Sequence, residues 1–298
     1  MFPDRPWQRL ILIIGYPLGF MEIGLLFLSS QFQPGIEGVA VREFVDKVVL
    51  VTGGTTGIGY ATAKAFAGEG ARVVICGRTR EKGDKALEEL GRLGSDVRFV
   101  PADVTSESSV KGMVEFAIDS FGSLDYAFNN AGIFVPEPLF HDHQTGTWEK
   151  VIASNLTGVY LCMKYELAAM LRTQRKSDGV IINNASIVGH RGSRASGLAY
   201  TAAKHGVLGL TKQAAINYAG QGVRINAVSP GPTLTEATRS GLEGPADEVE
   251  ARISLLNPTG ELVPTQEIAA AVTFLCSSGA SMINGHDIPL DGGQLAKL

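Results

Sequence analysis

The chain has 298 residues, 45% of them apolar and 19% charged, with a formal net charge of −4. That composition supplies one large α/β core or two small ones and excludes a disordered chain. The mildly acidic balance offers no basic field to nucleic acid or an anionic membrane.

Residues 1–45 differ in character from the rest of the chain. Leu10 to Leu28 is almost wholly apolar, broken by Pro17 and Glu22 and preceded by Arg5 and Arg9. Its length suits a membrane span or the core of a signal sequence, but Glu22 would be costly in lipid. Three readings compete: an N-terminal anchor, a segment docking on the body, or translation from an upstream start. The last is favoured, with Val41 as the native start and residues 46–298 as the domain proper. A membrane partner is expected only if the segment is genuine.

From Lys47 onward, strand and helix patterns alternate. Val48–Thr52 is a short apolar run of the kind buried on both faces of a sheet. A glycine turn comes next, then a small-residue helix from Ile58 to about Ala67. The pattern then predicts a strand over Arg72–Cys76, a helix over Arg80–Leu93 and a strand over Val97–Pro101. A helix over Val110–Phe121 and a strand over Leu124–Asn129 come after these. One long helix is expected from Trp148 to Thr173, a strand at Val180–Asn184, and a helix carrying Tyr200 to about Ala219. Val223–Ser229 reads as a strand, Pro230–Pro258 as a long irregular stretch, Gln266–Cys276 as a helix and Asp287–Leu290 as a short final strand. Such alternation predicts a single α/β domain: a doubly wound, Rossmann-like parallel sheet of about seven strands flanked by helices.

Between the first strand and helix stands Thr52-Gly53-Gly54-Thr55-Thr56-Gly57-Ile58-Gly59. Gly53, Gly57 and Gly59 permit a positive φ or a close backbone approach, and the helix start behind them offers free N–H groups to a phosphate. An ordinary turn would look similar. Its place after the first buried strand favours dinucleotide binding, with Thr55, Thr56 and Ile58 in the same cradle. The second strand ends in Cys76-Gly77-Arg78, without the carboxylate that usually bonds a ribose 2′-hydroxyl. Arg78 suits a 2′-phosphate, which favours NADP over NAD, although an arginine can also cap the turn. Asp103-Val104 closes the third strand at the expected adenine edge, where Asp103 could equally be a turn carboxylate.

Tyr200 and Lys204 lie four residues apart, hence one turn apart on one helix face. A free phenol has a pKa of about 10, and a neighbouring cation favours its ionised form. Further motifs stand in order around this pair: Asn129-Asn130-Ala131-Gly132, Asn155, Ser186, Pro230-Gly231-Pro232-Thr233-Leu234-Thr235 and Asp291-Gly292-Gly293. With these motifs and its glycine turn, the chain from about Lys47 to Gly293 resembles the short-chain dehydrogenase/reductase family.

The resemblance implies hydride transfer between nicotinamide and a ketone or secondary alcohol. Tyr200 is implied to be the general acid or base, and Lys204 to lower its pKa and hold the nicotinamide ribose. Ser186 is implied to bind the substrate oxygen, and Asn155 to hold a water that relays protons to Lys204. Asn130, Ala131 and Gly132 are implied among the cofactor contacts, and Pro230, Gly231, Thr233 and Thr235 on its nicotinamide side. The family also implies a homotetramer built across the helices at Trp148–Thr173 and Ser196–Ala219. Ala199, Ala202, Ala203, Val207 and Leu210 suit either that contact or the monomer core. A mobile lid is expected at about residues 232–258.

Two features depart from the family pattern. Thirteen residues separate Ser186 from Tyr200, one more than usual, and Thr233 replaces an aliphatic residue. Alternative readings are a non-catalytic dinucleotide-binding sensor or scaffold, or an anchored reductase of a sterol-like substrate. No metal site is assigned: His141 and His143 flank Asp142, but a solvated loop is the simpler reading. His190 borders the substrate or faces solvent, and His205 points about 100° away from Lys204. The three cysteines, Cys76, Cys162 and Cys276, fit neither a disulfide framework nor a zinc site. They read as buried thiols of a reducing, cytoplasmic compartment.

Overall fold

β1 (Val48–Thr52) is buried along its whole length, and its side chains alternate between two cores. Val48 and Leu50 join Met113, Leu167, Met170 and Val207 on one face. Val49 and Val51 join Phe66, Leu90, Ile182 and Ile268 on the other. A strand that is apolar at every position can exist only where helices cover both faces. Each fully buried Leu, Ile or Phe side chain contributes about 1.5–3 kcal/mol relative to exposure.

The computed structural model describes residues 43–173, 178–193, 196–236, 238 and 244–297. Residues 1–42, which hold the apolar run, lie outside it. Among the described residues no helix is long and apolar enough to cross a membrane. Seven parallel strands stand in the order β3-β2-β1-β4-β5-β6-β7. They are β1, β2 (Arg72–Gly77), β3 (Val97–Pro101), β4 (Tyr126–Asn129), β5 (Val180–Asn184), β6 (Arg224–Pro230) and β7 (Asp287–Leu290). The helices are α1 (Gly57–Gly68), α2 (Arg80–Gly91), α3 (Glu107–Phe121), α4 (Thr145–Ile152), α5 (Gly158–Thr173), α6 (Leu198–Tyr218), α7 (Ala246–Leu256) and α8 (Thr265–Cys276). The strand order reverses between β1 and β4, and a doubly wound sheet binds its ligand at the carboxyl ends of the strands beside such a switch.

Three expectations are corrected. The helix expected over Trp148–Thr173 is two helices, α4 and α5, joined by a π-helical turn at Ala153–Thr157. The stretch expected to be irregular contains α7, announced by Pro245 at its cap and by Asp247 and Glu248 in its first turn. α3 starts three residues before Val110, where the Ser106 side chain accepts from the Ser109 N–H at 3.4 Å.

Candidate active site

The end of β1 is tied to the end of β4 across the switch point. Thr52 Oγ1 accepts the N–H groups of Asn130 at 2.9 Å and Ala131 at 3.0 Å. The Asn130 amide donates back to the carbonyls of Thr52 at 3.0 Å and Gly53 at 3.3 Å. Gly53 and Gly57 sit at φ 62° and 57°, a region side chains disfavour. At Gly59 a Cβ would lie 2.3 Å from the Gly53 carbonyl oxygen, so the third glycine serves close approach. Thr56 caps α1 without a side-chain bond, leaving the first N–H groups of the helix for a ligand.

A cavity of about 490 Å³ opens from this turn. Of the residues expected there, Gly53, Thr55, Thr56, Gly57, Ile58, Arg78, Asp103, Val104, Asn130, Ala131, Gly132 and Thr235 line it. Gly59, Tyr200, Lys204, Pro230, Gly231 and Thr233 do not. Gly59 lies behind the turn, and the Gly231 N–H bonds the Leu290 carbonyl at 2.8 Å. Thr233 is buried, its hydroxyl donating to the Gly231 carbonyl at 3.0 Å. The wall also includes Lys82, Lys150, Ser154 and Glu236. Lys82 was legible, since it stands in the first turn of the helix just after Arg78. The Lys82 ammonium meets Glu236 at 2.6 Å, joining α2 to the loop after β6. Asp103 Oδ1 accepts the backbone N–H of Thr105 at 2.9 Å and its hydroxyl at 2.8 Å. That backbone bond, then the Thr105 hydroxyl and Arg78, hold its carboxyl below the usual range. Glycines filled by close contacts, a free helix start and a basic far end all fit a dinucleotide.

The second group of expected residues gathers around β5. Its last residue, Asn184, donates through its side-chain amide to Asn130 Oδ1 at 2.9 Å, and its carbonyl accepts from Lys204 Nζ at 2.6 Å. Lys204 is buried, and that burial lowers its pKa to about 8. Ser186 is buried and its Oγ accepts the Val188 N–H at 3.3 Å. Tyr200 is half-buried, and desolvation pushes its pKa up to about 12 against the lowering influence of the Ser186 hydroxyl. Lys204 Nζ lies 5.4 Å from the centre of the Tyr200 ring. Desolvation thus holds the phenol above its free value in the protein alone.

Asn155 is fully buried in the π turn. Its Oδ1 accepts the Ile133 N–H and its Nδ2 donates to the Ile133 carbonyl, both at 2.7 Å. The side chain thus anchors the loop after β4. His143 overturns the expectation of a solvated loop, because its Nε2 lies 2.8 Å from Glu137 Oε2 with the two side chains 6% and 0% exposed. His141 is exposed, as expected. His190 bonds Asp287 at 2.6 Å, and His205 is exposed and bonds the Thr201 carbonyl. Cys76, Cys162 and Cys276 are buried thiols.

A family model described as enoyl-(acyl carrier protein) reductase matches residues 53–294. The chain is 41% identical over 255 residues to the cis-4-hydroxycyclohexanecarboxylate dehydrogenase of Sinomonas cyclohexanicum, covering 86% of this chain and 99% of that protein. The chain belongs to the short-chain dehydrogenase/reductase family. Within that family it is also 38% identical to the cyclohexanol dehydrogenase of an Acinetobacter strain, over 88% of this chain and 100% of that one. The crystal structure of levodione reductase superposes with a TM-score of 0.81 at 36% identity, covering 86% of this chain and all of that one. The chain is thus an oxidoreductase of the nicotinamide-dependent type.

Proposed function

We propose that the protein interconverts a cyclic secondary alcohol and its ketone, with Tyr200 as acid–base group and NADP as the preferred cofactor. The observation that carries this is the placing of the Lys204 ammonium, 2.6 Å from the Asn184 carbonyl and 5.4 Å from the centre of the Tyr200 ring, in line with a polar chain that continues through Asn184 to Asn130 in the cavity wall. The ring preference rests on two relatives named for a cyclohexane carboxylate and cyclohexanol. The Phe134 ring, its centre 5.3 Å from that of Tyr200 in a T-shaped contact, adds an apolar surface beside the tyrosine.

Bound nicotinamide would supply or accept the hydride. The glycine turn from Gly53 to Gly59 and the start of α1 would hold the pyrophosphate, and Asp103 and Val104 the adenine. Arg78, with Lys82 beside it, would take the 2′-phosphate. Asn130, Ala131, Gly132 and Pro230 to Thr235 would enclose the nicotinamide half, with Lys204 on the ribose.

Tyr200 donates its proton to the carbonyl oxygen in reduction and takes the carbinol proton in oxidation. Ser186 donates a hydrogen bond to the same oxygen and steadies the charge that develops there. Lys204, one helical turn from Tyr200, favours the phenolate. Because both polar ends of the Asn155 side chain serve Ile133, Asn155 would hold a relay water only through its remaining amide N–H and lone pair or through its backbone.

We further propose a tetramer assembled on α5 and α6. Ala199, Ala203 and Val207 belong to the monomer core, so the contact would use the shallow groove of Leu156, Tyr160, Gly206, Gly209 and Leu210. Turnover of alicyclic alcohols and ketones with each nicotinamide cofactor tests the main proposal. No turnover beside tight cofactor binding would favour a sensor instead.

A further inference from the structure

We propose that Glu137 is a positioning residue for Tyr200, reaching from the loop after β4 to clamp the first turn of α6. The proposal rests on the reading of Tyr200 as the acid–base group.

A helix start leaves N–H groups without intrahelical partners. α6 has no side-chain bond at its cap residue, Gly197, and no acidic residue in its first turn. Its second residue, Ala199, is fully buried, so its N–H needs a protein acceptor. Glu137 Oε2 provides one at 2.9 Å, from 62 residues away in sequence. The bonded residue immediately precedes Tyr200.

Gly197 supplies a second, independent observation. Its φ of −72° and ψ of 160° are open to any residue, so the backbone does not require glycine there. The space does: a Cβ would fall 2.1 Å from Glu137 Cδ and 2.3 Å from Oε1. The carboxylate occupies the volume in which a side chain at the cap would stand.

The clamp is anchored at its other end as well. The same Oε2 meets His143 Nε2 at 2.8 Å, and neither side chain is more than 6% exposed. Water therefore screens the contact little. Phe134, three residues before Glu137, packs edge-on against the Tyr200 ring. The loop from Phe134 to His143 thus holds both the ring and the backbone turn that carries it. Misplacing a reacting group by about 1 Å can cost about 10²-fold in rate.

The test combines amide hydrogen exchange over residues 197–203 of the full chain with steady-state kinetics. Glu137→Ala is expected to speed exchange at Ala199 and to lower kcat by about 10- to 100-fold, with KM and direct cofactor affinity little changed. Glu137→Gln keeps an acceptor oxygen and restores most of both. Gly197→Ala reproduces the defect by displacing the carboxylate, and adds nothing further to Glu137→Ala, whose truncated side chain leaves room for a methyl group. Should Glu137→Ala not fold, Glu137→Gln against Gly197→Ala makes the same comparison. Unchanged exchange in Glu137→Ala, a harmless Gly197→Ala, or defects that multiply in the double variant would each overturn the proposal while leaving the role of Tyr200 intact. Retained turnover in Tyr200→Phe would overturn both.

Discussion

The ammonium of Lys204 and the backbone of Asn184 meet at 2.6 Å, which fixes α6 to the end of β5. The Asn184 side chain continues to Asn130, and Asn130 to the first turn of the cofactor cradle. A single run of hydrogen bonds therefore sets the distance between the place where a cofactor would sit and the place where a proton would move. Rigid strands at the switch point are what hold that distance.

The alkaline behaviour of the pair follows from burial. Lys204 is lowered to about 8 and Tyr200 raised to about 12, and the 5.4 Å between ammonium and ring predicts a coupled titration in which the first proton leaves the pair at about 8. Alcohol oxidation needs that proton gone. Its kcat/KM should rise with pH through this window, while ketone reduction falls through it. Lys204→Met removes the cation and should move the oxidation limb upward, toward the value of the phenol alone. A limb left in place by Lys204→Met would contradict the pairing.

Cofactor choice is expected to reside in Arg78. A charge-assisted bond contributes roughly 1.5–3 kcal/mol, so Arg78→Ala should weaken NADPH binding by about 10- to 100-fold in calorimetry. NADH should be nearly unaffected. An equal loss for both cofactors would assign Arg78 to the turn and not to a 2′-phosphate.

How much of this was legible in the chain differs by residue. Gly53, Gly57 and Gly59 announced themselves, because a turn between a buried strand and a helix start can be built in few ways. Tyr200 and Lys204 were legible as neighbours through helical spacing, and singled out only by the motifs around them. Glu137 and His143 were not: they pair across a loop, and nothing local distinguishes a buried carboxylate there from a solvated one. The π turn at Asn155 was hidden for a related reason, since it accompanies a bond to Ile133, 22 residues away. α7 was obscured by the glycines ahead of it, although Pro245 and the acids of its first turn were visible signals.

Glu166 makes a prediction about stability. It is fully buried beneath the sheet, accepting from Asn129 Nδ2 at 2.9 Å, and burial raises its pKa from 4.5 to about 8. Between those values the folded state holds a proton that the unfolded chain has lost. Its contribution to stability therefore falls as pH rises through the window and levels off above it. Each unit of pKa difference is worth about 1.4 kcal/mol. Glu166→Gln cannot ionise, so in thermal melts its Tm should gain on the wild type from about pH 5 to about pH 8. A gap constant across that range would place the charge elsewhere.

In the proposed mechanism one hydroxyl moves the proton while the cofactor moves the hydride. The sharpest test of that division is the near-ultraviolet absorbance of reduced nicotinamide during turnover of a cyclohexanol-type substrate by wild type and Tyr200→Phe. The variant is expected to run about 10² to 10⁴-fold slower, with cofactor affinity within about twofold of wild type. Turnover by Tyr200→Phe at the wild-type rate would contradict the mechanism.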